Sequence, residues 1–308
     1  MSEAAGRVER MPEERQAEPA RAGEATPPRD DARTSDAPAP DREAARRRWD
    51  RVLRFGLPAL VVLAFLVGWD LIVVLNDIPP YILPRPGVVA STLVSDWPVL
   101  GPALVNTLII TLAALTLATV GGVALSIALT QSRIVEYSFF PIAVVLQVTP
   151  IVAIFPLINI YVENIFAKLL LCAWIVAFFP ILANTTLGLN SADRNLVDLY
   201  RLYGATRWQT LRFLKLPAAM PYFLGGLRIA GGLALIGAVV AEFVAGSAGV
   251  GTGLASRLIE AGYRLNNPRL FAALVLISTT GVVIYVLLSL VSNLLLRRWH
   301  ESAMKERR

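Results

Sequence analysis

The chain has 308 residues, of which 55% are hydrophobic and 17% charged, against about 45–50% apolar and about 25% charged in soluble domains. That imbalance excludes an ordinary soluble enzyme, and a formal charge of +6 in so apolar a chain belongs at the cytoplasmic ends of membrane spans rather than on nucleic acid. One cysteine, Cys172, and one histidine, His300, leave no disulfide framework and no cysteine or multi-histidine metal cage, so neither a metal nor a cofactor is expected.

From Met1 to about Ala45, acidic and basic residues alternate with Pro, Gly, Ser and Ala. Such a composition cannot offset its own ordering entropy, and residues 1–45 are expected to be a disordered cytoplasmic tail. It is not a secretory signal, because the apolar stretch comes late and no small-residue cleavage site follows it.

A spanning helix needs about 20 mainly apolar residues, and six windows qualify between residues 46 and 299. The first runs from about Phe55 to Leu75, interrupted by Asp70, and the second from Leu104 to Leu129. Tyr137 to Tyr161 and Ala167 to Leu189 follow, each containing prolines. The fifth extends from Tyr222 to Val244 with Glu242 near its end, and the sixth from Leu270 to Leu296. Ser247 to Asn267 is too polar to cross alone.

Basic residues cluster before span one (Arg46, Arg47, Arg48, Arg51, Arg54), between spans four and five (Arg194, Arg201, Arg207, Arg212, Lys215), and after span six. With six spans these clusters share one side, which places both termini and a short tail at 300–308 in the cytoplasm. Pro141, Pro150, Pro156 and Pro180 fall inside or beside spans and are expected to kink them. Gly121, Gly122, Gly225, Gly226, Gly231 and Gly232 suit close helix approach. Gln147, Thr149, Asn159 and Asn184 near the kinks either satisfy the bent backbone or line a polar translocation path.

The cytoplasmic stretch 190–221 carries the most information. Leu196, Leu199, Tyr200 and Tyr203 recur at helical spacing, Gly204 interrupts, and Trp208, Leu211, Leu214 and Leu216 continue to Pro217 and Pro221. Glycine ends one helix and proline stops the next, so the stretch predicts two short helices forming an amphipathic elbow with basic edges. A helix of that kind suits a groove on a partner.

The same stretch resembles the signature loop of permease subunits of binding-protein-dependent ABC importers: Glu-Ala-Ala, three residues, Gly, nine residues, Ile, any residue, Leu-Pro. Here it reads Asp198-Leu199-Tyr200, three residues, Gly204, nine residues, then Leu214-Lys215-Leu216-Pro217. The glycine-to-proline spacing matches in full, while Asp198, Leu199 and Tyr200 depart from the Glu-Ala-Ala start. Leu83-Pro84-Arg85-Pro86, Phe179-Pro180-Ile181-Leu182-Ala183-Asn184-Thr185, Gly226-Leu227-Arg228-Ile229-Ala230 and Ala241-Glu242-Phe243-Val244-Ala245-Gly246, followed by Gly249-Val250-Gly251, extend the resemblance over Val52 to Trp299. They are similar to the nitrate, sulfonate and taurine branch of these permeases.

The resemblance implies an all-α integral membrane protein with six transmembrane helices, of the type I ABC importer permease kind, in the bacterial inner membrane. It implies two copies forming the pore, two copies of a separate ATP-binding subunit, and a periplasmic solute-binding protein. The chain contains no G-x-x-x-x-G-K-[ST] phosphate loop, so ATP hydrolysis would fall to the partner and the chain itself is not expected to be an enzyme. In this picture Gly204 supplies the elbow's turn and Pro217 its stop. Asp198, Arg201 and Arg207 either contact the ATPase or are solvated and headgroup-facing charges. Leu199, Tyr203, Leu214 and Leu216 either face the ATPase or pack within the loop. Glu242, which the resemblance places near the periplasmic mouth, is either a site residue beside the path or faces interfacial water. Asp70 has the same two readings.

Two other classes compete. An ion-gradient-driven secondary transporter predicts repeats and paired charges at the midplane, whereas the charges within the spans are Asp70, Lys168, Arg228 and Glu242, all near ends. A membrane enzyme has too few acid–base side chains to work with. For the solute, the resemblance ranks sulfonate or taurine first, then nitrate or bicarbonate, then pyrimidine or flavin-type vitamin precursors.

Overall fold

A computed structural model describes residues 40–246 and 253–304. The expected tail at 1–45 lies outside the described residues as far as 39, and the end of the expected tail at 300–308 lies outside them from 305. Among the described residues there are helices and turns and no strand. The packing that follows is internal to Val61–Arg308.

Among the described residues, five stretches are long and apolar enough to cross a bilayer: Gly56–Leu75, Trp97–Gln131, Ile165–Leu189, Arg207–Ala245 and Asn267–Arg297. They belong to α1 (Pro40–Leu75), α3 (Trp97–Gln131), α6 (Ile165–Leu189), α9 (Leu216–Ala245) with the turns preceding it, and α11 (Asn267–Met304). The short α2 (Pro86–Ser95) begins with a proline, whose missing N–H costs nothing in a first turn.

The third expected span is not one helix. It is α4 (Arg133–Val148) and α5 (Ile151–Tyr161), bent by 104° at the break between them. The cause is local: Pro150 disfavours the α region for the residue before it, and Thr149 sits at φ −76°, ψ 122°. Pro141, Pro156 and Pro180 by contrast are accommodated inside their helices.

The bent pair nonetheless makes a crossing. Ile110 and Ala114 of α3 cluster with Leu169, Cys172 and Ala173 of α6. Further along, Leu115 and Ala118 cluster with Ala177, Phe178 and Ile181, and Ser126 Oγ donates to the Leu182 carbonyl at 3.0 Å. The two registers climb together, so α3 and α6 are parallel. A chain that leaves α3 on one side and enters α6 on the other must cross between them, which makes the sixth span.

The core is the seam between antiparallel α6 and α9, where backbones nearly touch. A Cβ at Gly188 would stand 2.8 Å from Ala219 Cα, one at Gly226 2.8 Å from the Pro180 carbonyl, and one at Gly237 2.9 Å from Ala173 Cα. Small residues serve this purpose in membranes, where lipid supplies no hydrophobic drive between helices. Of the glycines expected to do so, Gly122, Gly226 and Gly231 are tightly packed, Gly121 makes ordinary contact, and Gly225 and Gly232 face open space. Outward-facing Leu63, Phe65, Val67 and Leu71 of α1 are each more than half exposed, as side chains toward lipid should be.

On the side away from the basic loop, ion pairs fasten the connections. Arg85 donates to both carboxylate oxygens of Asp70 at 2.8 Å, and Arg269 Nε reaches Asp96 at 2.5 Å. The Asn267 side chain donates to the Tyr81 and Ile82 carbonyls. The polar stretch after α9 holds α10 (Leu254–Tyr263), too short to cross.

Candidate functional site

The basic elbow comprises α7 (Arg194–Leu202), α8 (Arg207–Thr210) and a π turn (Leu211–Lys215) that runs on into α9. Asp193 caps α7 by accepting from the Asn195 N–H at 2.8 Å. At the other end Gly204 adopts φ +70°, the Ala205 N–H reaches the Tyr200 carbonyl and the Gly204 N–H that of Arg201. That pair of bonds is a Schellman closure, which needs a left-handed residue where only glycine is free of strain. The chain then restarts through a capping box, Thr206 Oγ1 accepting from the Gln209 N–H and Gln209 Oε1 from the Thr206 N–H.

Pro217 does not stop the second helix. The Leu216 N–H bonds five residues back to Leu211, and the extra residue of this wide turn lets Pro217 enter as part of the first turn of α9. The elbow's second arm is therefore continuous with a membrane span.

The elbow's side chains divide into two sets. No residue of α7 is buried. Leu199 is 44% exposed, Leu202 85%, Tyr203 84%, Trp208 63% and Phe213 62%. Leu211 is fully buried with Leu189 and Ala219, and Leu216 packs against them. Of the four residues expected on one apolar face, Leu199 and Tyr203 therefore point outward, Leu214 is half-buried and Leu216 anchors the elbow to the bundle. Leu202 and Phe213, which lie off the helical spacing of the loop's other apolar residues, belong with the outward set. Asp198 accepts from Arg201 at 3.2 Å, both exposed, and Arg207 is exposed beside them.

Glu242 lies at the opposite end of α9 and is 1% exposed. Thr107 Oγ1 donates to its Oε1 at 2.8 Å and the Ala255 N–H to its Oε2 at 3.0 Å. Thr107 Oγ1 in turn accepts from the Leu254 N–H at 2.9 Å. A carboxylate thus caps the first turn of α10, where free N–H groups and the helix dipole favour negative charge. A Cβ at Gly253 would overlap the Glu242 carboxylate, so a side chain there would have to displace the capping group. Further along α10, a hydrogen bond from Arg257 holds the Glu260 carboxyl below its ordinary range.

The other polar candidates do not converge with Glu242. Gln147 is exposed on α4 beside the bend, and Thr149 at the bend donates to the Val145 carbonyl at 2.6 Å. Asn184 sits on the α6–α9 seam and donates to the Pro180 carbonyl at 2.9 Å, while Asn159 accepts from Lys168 at 2.7 Å. Asp70 is engaged by Arg85. Thr107 and Gly253 went unremarked in the sequence, because a threonine inside a charge-free window and a glycine in a polar loop carry no signal of their own.

Comparison with known proteins bears on these features. Residues 120–304 match the family described as binding-protein-dependent transport system inner membrane component. The chain is 35% identical over 253 residues to the riboflavin transport system permease protein RibX of Chloroflexus aurantiacus, covering 80% of this chain and 91% of that one. It is 31% identical to the formylaminopyrimidine transport permease protein ThiX of Halalkalibacterium halodurans, covering 78% and 94%. It is 28% identical to the putative aliphatic sulfonates transport permease protein SsuC of Bacillus subtilis, covering 87% and 95%. A crystal structure of an amino acid ABC transporter aligns with a TM-score of 0.55 at 18% identity, over 66% of this chain and 96% of that one, a likeness of fold.

Proposed function

Because the chain belongs to the binding-protein-dependent inner membrane components, the multi-pass permease subunits of ABC importers of small solutes, we propose that two copies form a pathway whose opening is driven by a separate ATPase gripping the α7–α8 elbow. A solute-binding protein on the far side would deliver the cargo. One observation carries this reading: the exposed apolar set Leu199, Leu202, Tyr203, Trp208 and Phe213 on an elbow whose second arm is continuous with a span. Bulky apolar side chains on a basic cytoplasmic surface call for a protein partner. Driving a two-state pathway from 1:99 to 99:1 takes about 5.5 kcal/mol of differential binding, and a continuous helix transmits such a load where a loose loop would not. Asp198 would lie on the polar rim of that contact, and Gln147 and Thr149 at the bend would face the pathway.

The test is co-purification of the tagged chain with a candidate ABC ATPase subunit co-expressed from the same genome, followed by ATPase activity in nanodiscs with and without a candidate solute-binding protein. Wild type should assemble and show stimulated hydrolysis, and Gly204→Val should lose both. A wild-type chain that purifies alone and binds no ATPase would shift the reading to a secondary transporter.

For the solute, we favour heterocyclic vitamin precursors over the sulfonates that the signature resemblance placed first. The support is that the relatives named for riboflavin and formylaminopyrimidine transport are 35% and 31% identical over nearly their whole lengths, against 28% for the sulfonate relative. Binding of a panel of flavins, pyrimidines and sulfonates to the cognate binding protein decides it.

A further inference from the structure

A polar cleft of about 550 Å³ lies at the root of the elbow, walled by Ser132 and Glu136 after α3, Asn190 after α6, and Arg201, Arg207 and Lys215 of the elbow. A second cleft of about 330 Å³ shares Asn190, Arg201 and Lys215 with it and adds Arg194 and Asp198. Arg201 shares Asp198 at 3.2 Å, whereas Arg194, Arg207 and Lys215 have no carboxylate within ion-pair distance among the described residues. Cations therefore outnumber carboxylates around both clefts.

The wall also holds an unused hydroxyl. A helical threonine ordinarily donates to the carbonyl four residues back. For Thr186 that carbonyl is Leu182, which Ser126 Oγ already engages at 3.0 Å. Thr186 Oγ1 has no partner among the described residues, and Thr186 lines the larger cleft.

Depth identifies the ligand's source. The clefts sit where α6, 25 residues long, ends on the basic side, and a helix of that length crossing about 30 Å of hydrocarbon reaches headgroup depth at its end. We propose that this cleft binds the phosphate of an acidic phospholipid from the inner leaflet, held by Arg201, Arg207 and Lys215 between elbow and bundle. Basic pockets between spans on the cytoplasmic side are suited to such headgroups. A lipid seated there braces the underside of the elbow and leaves its outward apolar set free. The inference rests on the membrane orientation and not on the elbow's ATPase partner.

The test is native mass spectrometry of the full-length chain, without ATPase, equilibrated with equal amounts of phosphatidylglycerol and phosphatidylcholine. Wild type should retain phosphatidylglycerol preferentially, and each cation removed in Arg207→Gln or Lys215→Gln should lower retention about fivefold, from about 1 kcal/mol per basic residue near an anionic surface. Lys215→Gln alone serves if the other variant does not fold. Equal retention of both lipids, or a preference unchanged in folded variants, overturns the proposal. Displacement of phosphatidylglycerol by millimolar inorganic phosphate keeps the phosphate site and overturns the lipid as its source. Failure of ATPase assembly with intact lipid selectivity would count against the function proposed above and not against this site.

Discussion

Thr107 and Glu242, 135 positions apart, share a 2.8 Å hydrogen bond inside the bundle, and the same threonine hydroxyl accepts from the Leu254 N–H at 2.9 Å. One side chain thereby joins α3, α9 and the cap of α10. Both of its bonds are shut away from water, which decides what its loss would cost.

Replacing Thr107 by valine keeps the shape and deletes both bonds. It strands a carboxylate oxygen and an N–H in a buried place, each worth about 1–3 kcal/mol when left unsatisfied. Thermal unfolding in detergent should show a clear loss for Thr107→Val and little for Thr107→Ser, which retains the hydroxyl. Equal stability of the valine variant would mean that water replaces the threonine.

Gly253→Ala should be destabilising by a different route, since the new methyl group overlaps the Glu242 carboxylate. Glu242→Ala removes the obstacle along with the cap. The two substitutions should therefore be markedly non-additive, the double variant being less impaired than the sum of the singles by about 0.5–3 kcal/mol. Additive effects would show that α10 seats independently of Glu242.

Tyr203 and Leu202 are 84% and 85% exposed and hold nothing together within the chain. Tyr203→Asp and Leu202→Asp should leave the melting temperature within a degree or two, consistent with about ±0.5 kcal/mol for surface changes. Both should reduce ATPase co-purification at least tenfold. A variant that still binds ATPase at wild-type levels would place the contact elsewhere on the elbow.

On the α6–α9 seam, Gly188→Val and Gly237→Val force side chains into backbone standing 2.8–2.9 Å from a bare Cβ. Overpacking of this kind costs about 1–3 kcal/mol or more. Yield of folded protein by size-exclusion fluorescence should fall sharply for both. Gly232→Val, where a Cβ meets open space, is the matched control and should stay near wild type.

Much of this architecture is written in local pattern. Windows of about 20 apolar residues and the Gly204 to Pro217 spacing are properties of short stretches, and the spans and the elbow follow from them. The bend at Thr149-Pro150 was foreshadowed by its proline but not measured by it, since a proline kinks, breaks or is absorbed according to what surrounds it. Pro217 illustrates absorption: read alone it ends a helix, yet a π turn one residue longer makes room for it.

Composition and spacing alone settle the class of molecule, a helical membrane protein with a basic elbow between two spans, because bilayer thickness and helix punctuation act on short stretches of chain. Only the tertiary structure decided that Glu242 caps α10 through Thr107, that Leu216 faces the bundle while Leu202 and Phe213 face out, and that Arg207 and Lys215 wall one cleft. Those facts depend on which helices run parallel and at what register. Register is set by glycines whose fit against a neighbour shows only once the neighbour is in place.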